Sequence, residues 1–288
     1  AFVLLACFAA SFLACALHTD QEWSLSERRR LAQKPTVSTE SLMSGKFMSD
    51  FESYSLDQFP LREVFRTVKA QVQYHVFRQK DNNGIYLVDG TLSKIESGLD
   101  ENSVAAAADK FLTLKDRYFP DSRVFYGVIP DKNYYLAAAH GYPHLDYDRL
   151  DAILAEKLPE LERIELYDCL SAEDYYRTDS HWRQERLEKA ALRIAEHLDV
   201  DITPFDDYTA HTFENFRGVY WGQSALALPG EDLTYLTSDV LDGCTVYHVE
   251  TNGTTGVYEP ERLEDPDPYD VFLGGADAFL TITNPHAE

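Results

Sequence analysis

The chain has 288 residues, 44% hydrophobic and 13% aromatic, a composition that supports a sizeable packed core and excludes a disordered protein. Its 49 acidic residues against 26 basic ones leave a net charge of −23. Such a surface excludes a nucleic-acid binder, which needs a basic face, and offers no electrostatic attraction to anionic lipid. Residues 1–17, AFVLLACFAASFLACAL, contain no charge and one hydroxyl residue, Ser11. This is short for a membrane span and long for a buried segment. It predicts a signal-peptide core or membrane anchor, with a buried N-terminal helix as the alternative. There is no initiating Met and no basic leader, so the chain is expected to begin inside that segment. Residues 18–44 are polar, with little periodicity, and are expected to be a linker.

Between residues 47 and 77 the apolar positions Phe47, Phe51, Tyr54, Leu61, Val64, Phe65, Val68, Val72 and Val76 recur at helical spacing. Pro60 is suited to the first turn of a second helix. The segment 81–90, DNNGIYLVDG, predicts turn, strand and turn. Residues 105–118 predict a helix, and RVFYGVIP (123–130), a continuous apolar run closed by proline, a buried parallel strand. Residues 150–161 are helical in pattern and RIELYDC (163–169) gives a second strand. From Trp182 onward Leu187, Ala190, Ala191, Ile194, Ala195 and Leu198 form one stripe, with Glu185 and Lys189 spaced as a wet-face ion pair. The alternation of strand and helix predicts an α/β fold with a mainly parallel sheet. Residues 203–275 hold eight of the fourteen glycines and read as a loop-rich β insertion. Residues 276–284 are expected to be a strand entering the core. The expected organisation is an anchor at 1–17, a linker at 18–44 and one domain over 45–288. Cys169 and Cys244 could pair in an exported body or remain free thiols.

The chemistry concentrates in Asp179-Ser180-His181, placed by the pattern on a strand-to-helix turn. A carboxylate held against one imidazole nitrogen fixes the tautomer and stabilises the imidazolium, leaving the other nitrogen to take a proton. On spacing alone, a helix cap by Thr178, Asp179 or Ser180 is the commoner reading. Other candidates are weaker. Ser224 in YWGQSALALPG is a rival nucleophile without an elbow motif. Arg217, Tyr220 and Trp221 suit a sugar-facing platform or core packing. His140, His144 and Asp146 lie in a Gly- and Pro-containing stretch that argues for a loop and against a metal site.

Three ordered blocks, FMSDFESYSLDQFPLREVFRTVKAQV, KDNNGIYLVDGTLSK and YYRTDSHW, resemble the DHHW proteins of Gram-positive bacteria. These are relatives of the alginate O-acetylation proteins in the SGNH-hydrolase-like superfamily. Ser180 stands where the namesake motif has a second His, a position that is not catalytic in the related acetyltransferases. The resemblance implies a three-layer α/β/α core and a Ser-His-Asp triad, with Asp179 as orienting acid and His181 as general base. It implies no metal or cofactor, a polysaccharide and an acetyl donor as partners, and a membrane-anchored, outward-facing bacterial envelope protein. The triad serine is expected in an Asp-Ser-Phe or Asp-Ser-Tyr block just after a strand that follows an Asn-Pro turn. This chain reaches Asn284-Pro285 and contains no such block. The serine is therefore expected beyond residue 288, with residues 1–288 alone inactive. The alternative is a non-catalytic polysaccharide-binding or envelope assembly protein that keeps the fold.

Overall fold

The computed structural model describes residues 2–285. The chain divides into two compact units. One runs to Asn83 and takes in Trp221–Leu228; the other comprises Gly84–Tyr220 and resumes at Pro229.

The first unit opens with an uncharged helix, α1 (Phe2–Leu17). Among the described residues no helix is long and apolar enough to cross a membrane. The stretch expected to be a bare linker contains a small hairpin, β1 (Trp23–Ser24) with β2 (Arg29–Arg30), and a short helix, α2 (Thr39–Met43). Helices α3 (Lys46–Asp57) and α4 (Arg62–Gln71) follow, then a π turn over Val72–Val76 and β3 (Asp81–Asn82). Pro60 lies ahead of the second helix, and Leu61 at its N-cap adopts φ 59°.

Charge holds the hairpin to the helices. The Arg29 guanidinium grips Asp57 through two hydrogen bonds of 2.7 and 2.8 Å, and Asp57 also accepts the Ala32 N–H at 2.9 Å. Bidentate arginine–carboxylate pairs are the strong kind. Gln58 accepts from Gln21 N and donates to the Gln21 and Ala32 carbonyls, closing the same seam. At Gly222 the Ser26 carbonyl comes so close that a Cβ would lie 1.5 Å from its oxygen, so only glycine fits.

The second unit begins with an antiparallel hairpin, β4 (Ile85–Val88) and β5 (Thr91–Lys94), turning through Asp89-Gly90. Helix α5 (Glu101–Tyr118) leads to β6 (Phe125–Gly127), then α6 (Lys132–His140), α7 (Tyr147–Lys157) and β7 (Glu162–Ile164). Strands β6 and β7 pair in parallel, as the sequence suggests. Ala108 of α5 packs with Leu158 and Leu161 in one core cluster. After 3₁₀ turns comes α8 (Glu188–Leu198), whose Ala190 joins Ile164, Leu166, Cys169 and Tyr175 in a second cluster.

A mainly parallel sheet is not what forms. The fold is mixed α/β, its sheets are small, and β6–β7 is the parallel pair among otherwise antiparallel pairings of the described residues. The expected strand 163–169 breaks after Ile164 because the Glu165 carboxylate takes the Tyr167 N–H at 2.9 Å and the chain turns into 3₁₀ geometry. Strands β8 (Thr209–Phe216) and β9 (Glu231–Thr237) form a hairpin whose register shifts between Phe213 and Phe216. Between them the short helix α9 (Val219–Ser224) begins. Helix α10 (Asp239–Asp242) precedes β10 (Thr245–His248), which lies between β11 (Gly253–Thr255) and β12 (Leu280–Thr283). Strand β12 was expected to enter the core, yet it is an edge strand with Ile282 exposed. The buried His248 ties this sheet together, bonding Asp277 through Nδ1 at 2.5 Å and Thr255 Oγ1 through Nε2 at 2.7 Å. Cys169 and Cys244 are free thiols, one buried and one partly exposed.

Candidate active site

Asp179 and His181 lie on a tight loop, not on the strand-to-helix turn expected from the pattern. Tyr175 and Trp182 pair across its base, Tyr176 N donates to His181 O at 3.1 Å, and Arg183 N donates to Asp174 O at 2.7 Å. Helix α8 starts seven residues after His181, at Glu188. The expected Glu185–Lys189 pair does not form: Glu185 binds Arg183, and Lys189 donates to the Asp168 carbonyl.

Asp179 does not cap α8, the helix that follows it, whose N-cap is Leu187. Its Oδ1 lies 2.6 Å from His181 Nδ1 and accepts the His181 backbone N–H at 3.0 Å, while Oδ2 accepts the Val219 N–H at 2.7 Å. Asp179 is fully buried, whereas the His181 side chain is 47% exposed. Burial opposes the carboxylate charge, but the hydrogen bonds from His181 and Val219 outweigh it and hold the group well below the usual carboxylate range. The ring of Tyr269 stacks on the imidazole at a centroid distance of 3.9 Å and 12° between planes. One nitrogen of His181 is thus fixed by an acid and one face by an aromatic ring, while the side chain reaches solvent.

The loop is fastened from below. Glu231, at the start of β9, accepts the Arg177 and Thr178 backbone N–H groups at 2.8 and 2.7 Å and the Thr178 hydroxyl at 2.6 Å. Thr178 Oγ1 in turn accepts from Gly218 N at 2.9 Å. A Cβ at Gly218 would stand 2.2 Å from the Asp179 Cβ, so the chain carrying Val219 N can reach the carboxylate only with glycine there. Lys132, buried at the start of α6, donates to Leu92 O at 2.5 Å and Tyr176 O at 2.7 Å, with Nζ 5.1 Å from the centroid of the Tyr220 ring. Burial pulls its amine down to about 7, against the opposing charges of Asp179 and Glu231.

Of the other sequence candidates, Arg217 is exposed and Tyr220 half-buried, on the segment that bonds Asp179. The Trp221 indole donates to Leu228 O at 2.9 Å within the first unit. Ser224 is fully buried there; its hydroxyl donates to Trp221 O and accepts from Leu226 N. That is a local structural role. The Ser180 hydroxyl reaches Asp179 Oδ1 at 3.4 Å. His140 pairs with Asp89 at 3.4 Å, His144 Nδ1 lies 2.9 Å from Leu145 O, and Asp146 caps α7. Sequence reasoning missed Tyr269, Glu231, Lys132 and Gly218. Each lies at least 37 residues from His181 in the chain, in a segment without a motif of its own.

No protein-family model matches the chain, and no curated protein matches it. Solved structures do. A DHHW family protein from Eubacterium siraeum superposes with a TM-score of 0.56 at 22% identity, covering 72% of this chain and 73% of that one. PatB1 from Bacillus cereus superposes at 0.52 and 18% identity, covering 71% of this chain and 76% of PatB1. A second PatB1 structure, with a sulfonyl adduct, gives 0.51 at 19% identity, covering 71% and 74%. The chain has the fold of these proteins. The likeness agrees with the resemblance carried by the DQFPLR and TDSHW blocks.

Proposed function

We propose that the protein is an exported, membrane-anchored O-acetyltransferase or acetylesterase of the SGNH-like type, acting on a cell-surface polysaccharide. The observation that carries this reading is the fully buried Asp179 carboxylate 2.6 Å from Nδ1 of a half-exposed imidazole. The fold shared with the DHHW protein and PatB1 supports it. In this proposal Asp179 holds the proton on Nδ1, so Nε2 of His181 accepts the proton of a serine hydroxyl. The serine oxygen attacks the acetyl carbonyl and the donor leaves with the proton from His181. A sugar hydroxyl or water then takes the acetyl group by the reverse transfers. Arg217 and Tyr220, beside the residues that hold Asp179, face the sugar.

The test is turnover of a chromogenic acetyl ester by the full-length protein. His181→Ala and Asp179→Asn are each expected to lower kcat by about 10³–10⁴-fold. Unchanged kcat in either variant would sink the assignment. Glycan binding without any turnover would favour a binding protein that keeps the fold.

A further inference from the structure

Helix α4 is built inside out. Arg62, Arg66 and Ala70, at four-residue spacing, face its own unit: Ala70 has no exposed surface, Arg62 pairs with Glu27 at 2.6 Å, and Arg66 donates to Gly222 O at 2.7 Å. The opposite side carries Val64, Phe65 and Val68, continued by Val72 and Val76 in the π turn. Val64 and Phe65 are each 56% exposed, Val68 53% and Val76 66%. A surface helix normally turns its apolar stripe inward. A contiguous exposed apolar stripe marks an interaction site.

The charge is also unevenly distributed. Residues 1–83 contain ten Lys and Arg against nine Asp and Glu, a net +1, and 221–228 contain none, so the remainder carries −24. The acid excess that would repel an anionic bilayer is therefore absent from the unit that carries the apolar stripe. That unit also begins with the uncharged α1.

We propose that the outer face of α4 and the π turn lies on a lipid bilayer surface, with Val64, Phe65, Val68 and Val76 entering the boundary between head groups and acyl chains. Amphipathic helices bind bilayers by burying such a face. Lipid suits this surface better than a second copy does. It demands no matching charges, whereas a second copy brings together two chains of −23 each. The proposal does not depend on the catalytic reading.

Hydrogen exchange on the full chain tests it, with and without phosphatidylcholine vesicles. Amides of residues 61–76 are expected to exchange about tenfold more slowly with vesicles. In V64S/V68S, which alters exposed positions only and leaves α1 intact, that protection is lost while the chain still floats with the vesicles. Unchanged exchange at 61–76 in vesicle-bound wild type overturns the proposal. So does protection that arises without lipid as protein concentration rises, accompanied by dimer in sedimentation, because a second copy then covers the face. Protection confined to anionic vesicles and abolished by salt also overturns it, because charge and not apolar burial would then be responsible.

Discussion

Lys132 donates to the Tyr176 carbonyl at the base of the loop that carries the imidazole, and its ionisation is shifted by burial. Burial favours its neutral form, and the carboxylates of Asp179 and Glu231 pull the other way, leaving it at about 7 in the folded chain against an ordinary 10.5. Below pH 7 the amine is protonated in both states. Between pH 7 and 10.5 the unfolded chain binds a proton that the folded chain does not, so stability rises with pH across that window. The slope is at most about 1.4 kcal/mol per unit. Urea unfolding should therefore show wild type gaining stability relative to Lys132→Met from pH 7 to pH 10. A difference independent of pH would show that the amine does not titrate in this window. Asp179 presents the opposite balance, since its hydrogen bonds from His181 and Val219 overcome burial and keep it charged.

At the scale of elements, the position of His181 depends on the start of β9. Glu231 Oε1 takes both the N–H and the hydroxyl of Thr178, and Oε2 takes Arg177 N. A glutamine there turns an NH₂ group toward a donor and leaves a buried group unpaired. Glu231→Gln is expected to cost about 1–3 kcal/mol of stability and to broaden or shift the downfield His181 Nδ1–H proton resonance. Unchanged stability with an unchanged resonance would show that the loop holds itself. This dependence explains what the sequence could and could not disclose. The periodicities at α5, α7 and α8 and the parallel pair β6–β7 are local patterns, and they fold as their spacing suggests. Asp179 and His181 were legible because they are two residues apart within a recognisable block. Val219 N, Glu231, Lys132 and Tyr269 come from separate elements; Gly218 and the β8–β9 hairpin bring in the first two, α6 supplies Lys132 and the turn at 268–271 supplies Tyr269. No spacing in the chain encodes those meetings. The parallel sheet was over-read for a related reason: apolar runs such as 163–169 promise a strand, but a neighbouring side chain such as Glu165 can take the backbone donor first.

At the scale of the whole molecule, the net charge of −23 conceals a division. Residues 1–83 carry +1 and hold themselves together by ion pairs such as Arg29–Asp57 and Arg62–Glu27. The unit with the acid–imidazole pair carries −24, so its like charges repel one another throughout the folded state. Salt acts on the two in opposite directions. Raising ionic strength from 0.01 to 0.1 M shortens the screening length from about 30 to about 10 Å. That relieves repulsion among the acids of the second unit and weakens the exposed part of the pairs in the first. Hydrogen exchange across this range should show growing protection of β8 and β9 in the second unit. Over the same range, the β1–β2 hairpin and the start of α4 should hold or lose protection. The contrast is expected with chloride salts at constant pH, where no carboxylate changes its protonation. A uniform rise in protection across both units would trace the effect to general salt exclusion, and the division of charge would then have no energetic consequence.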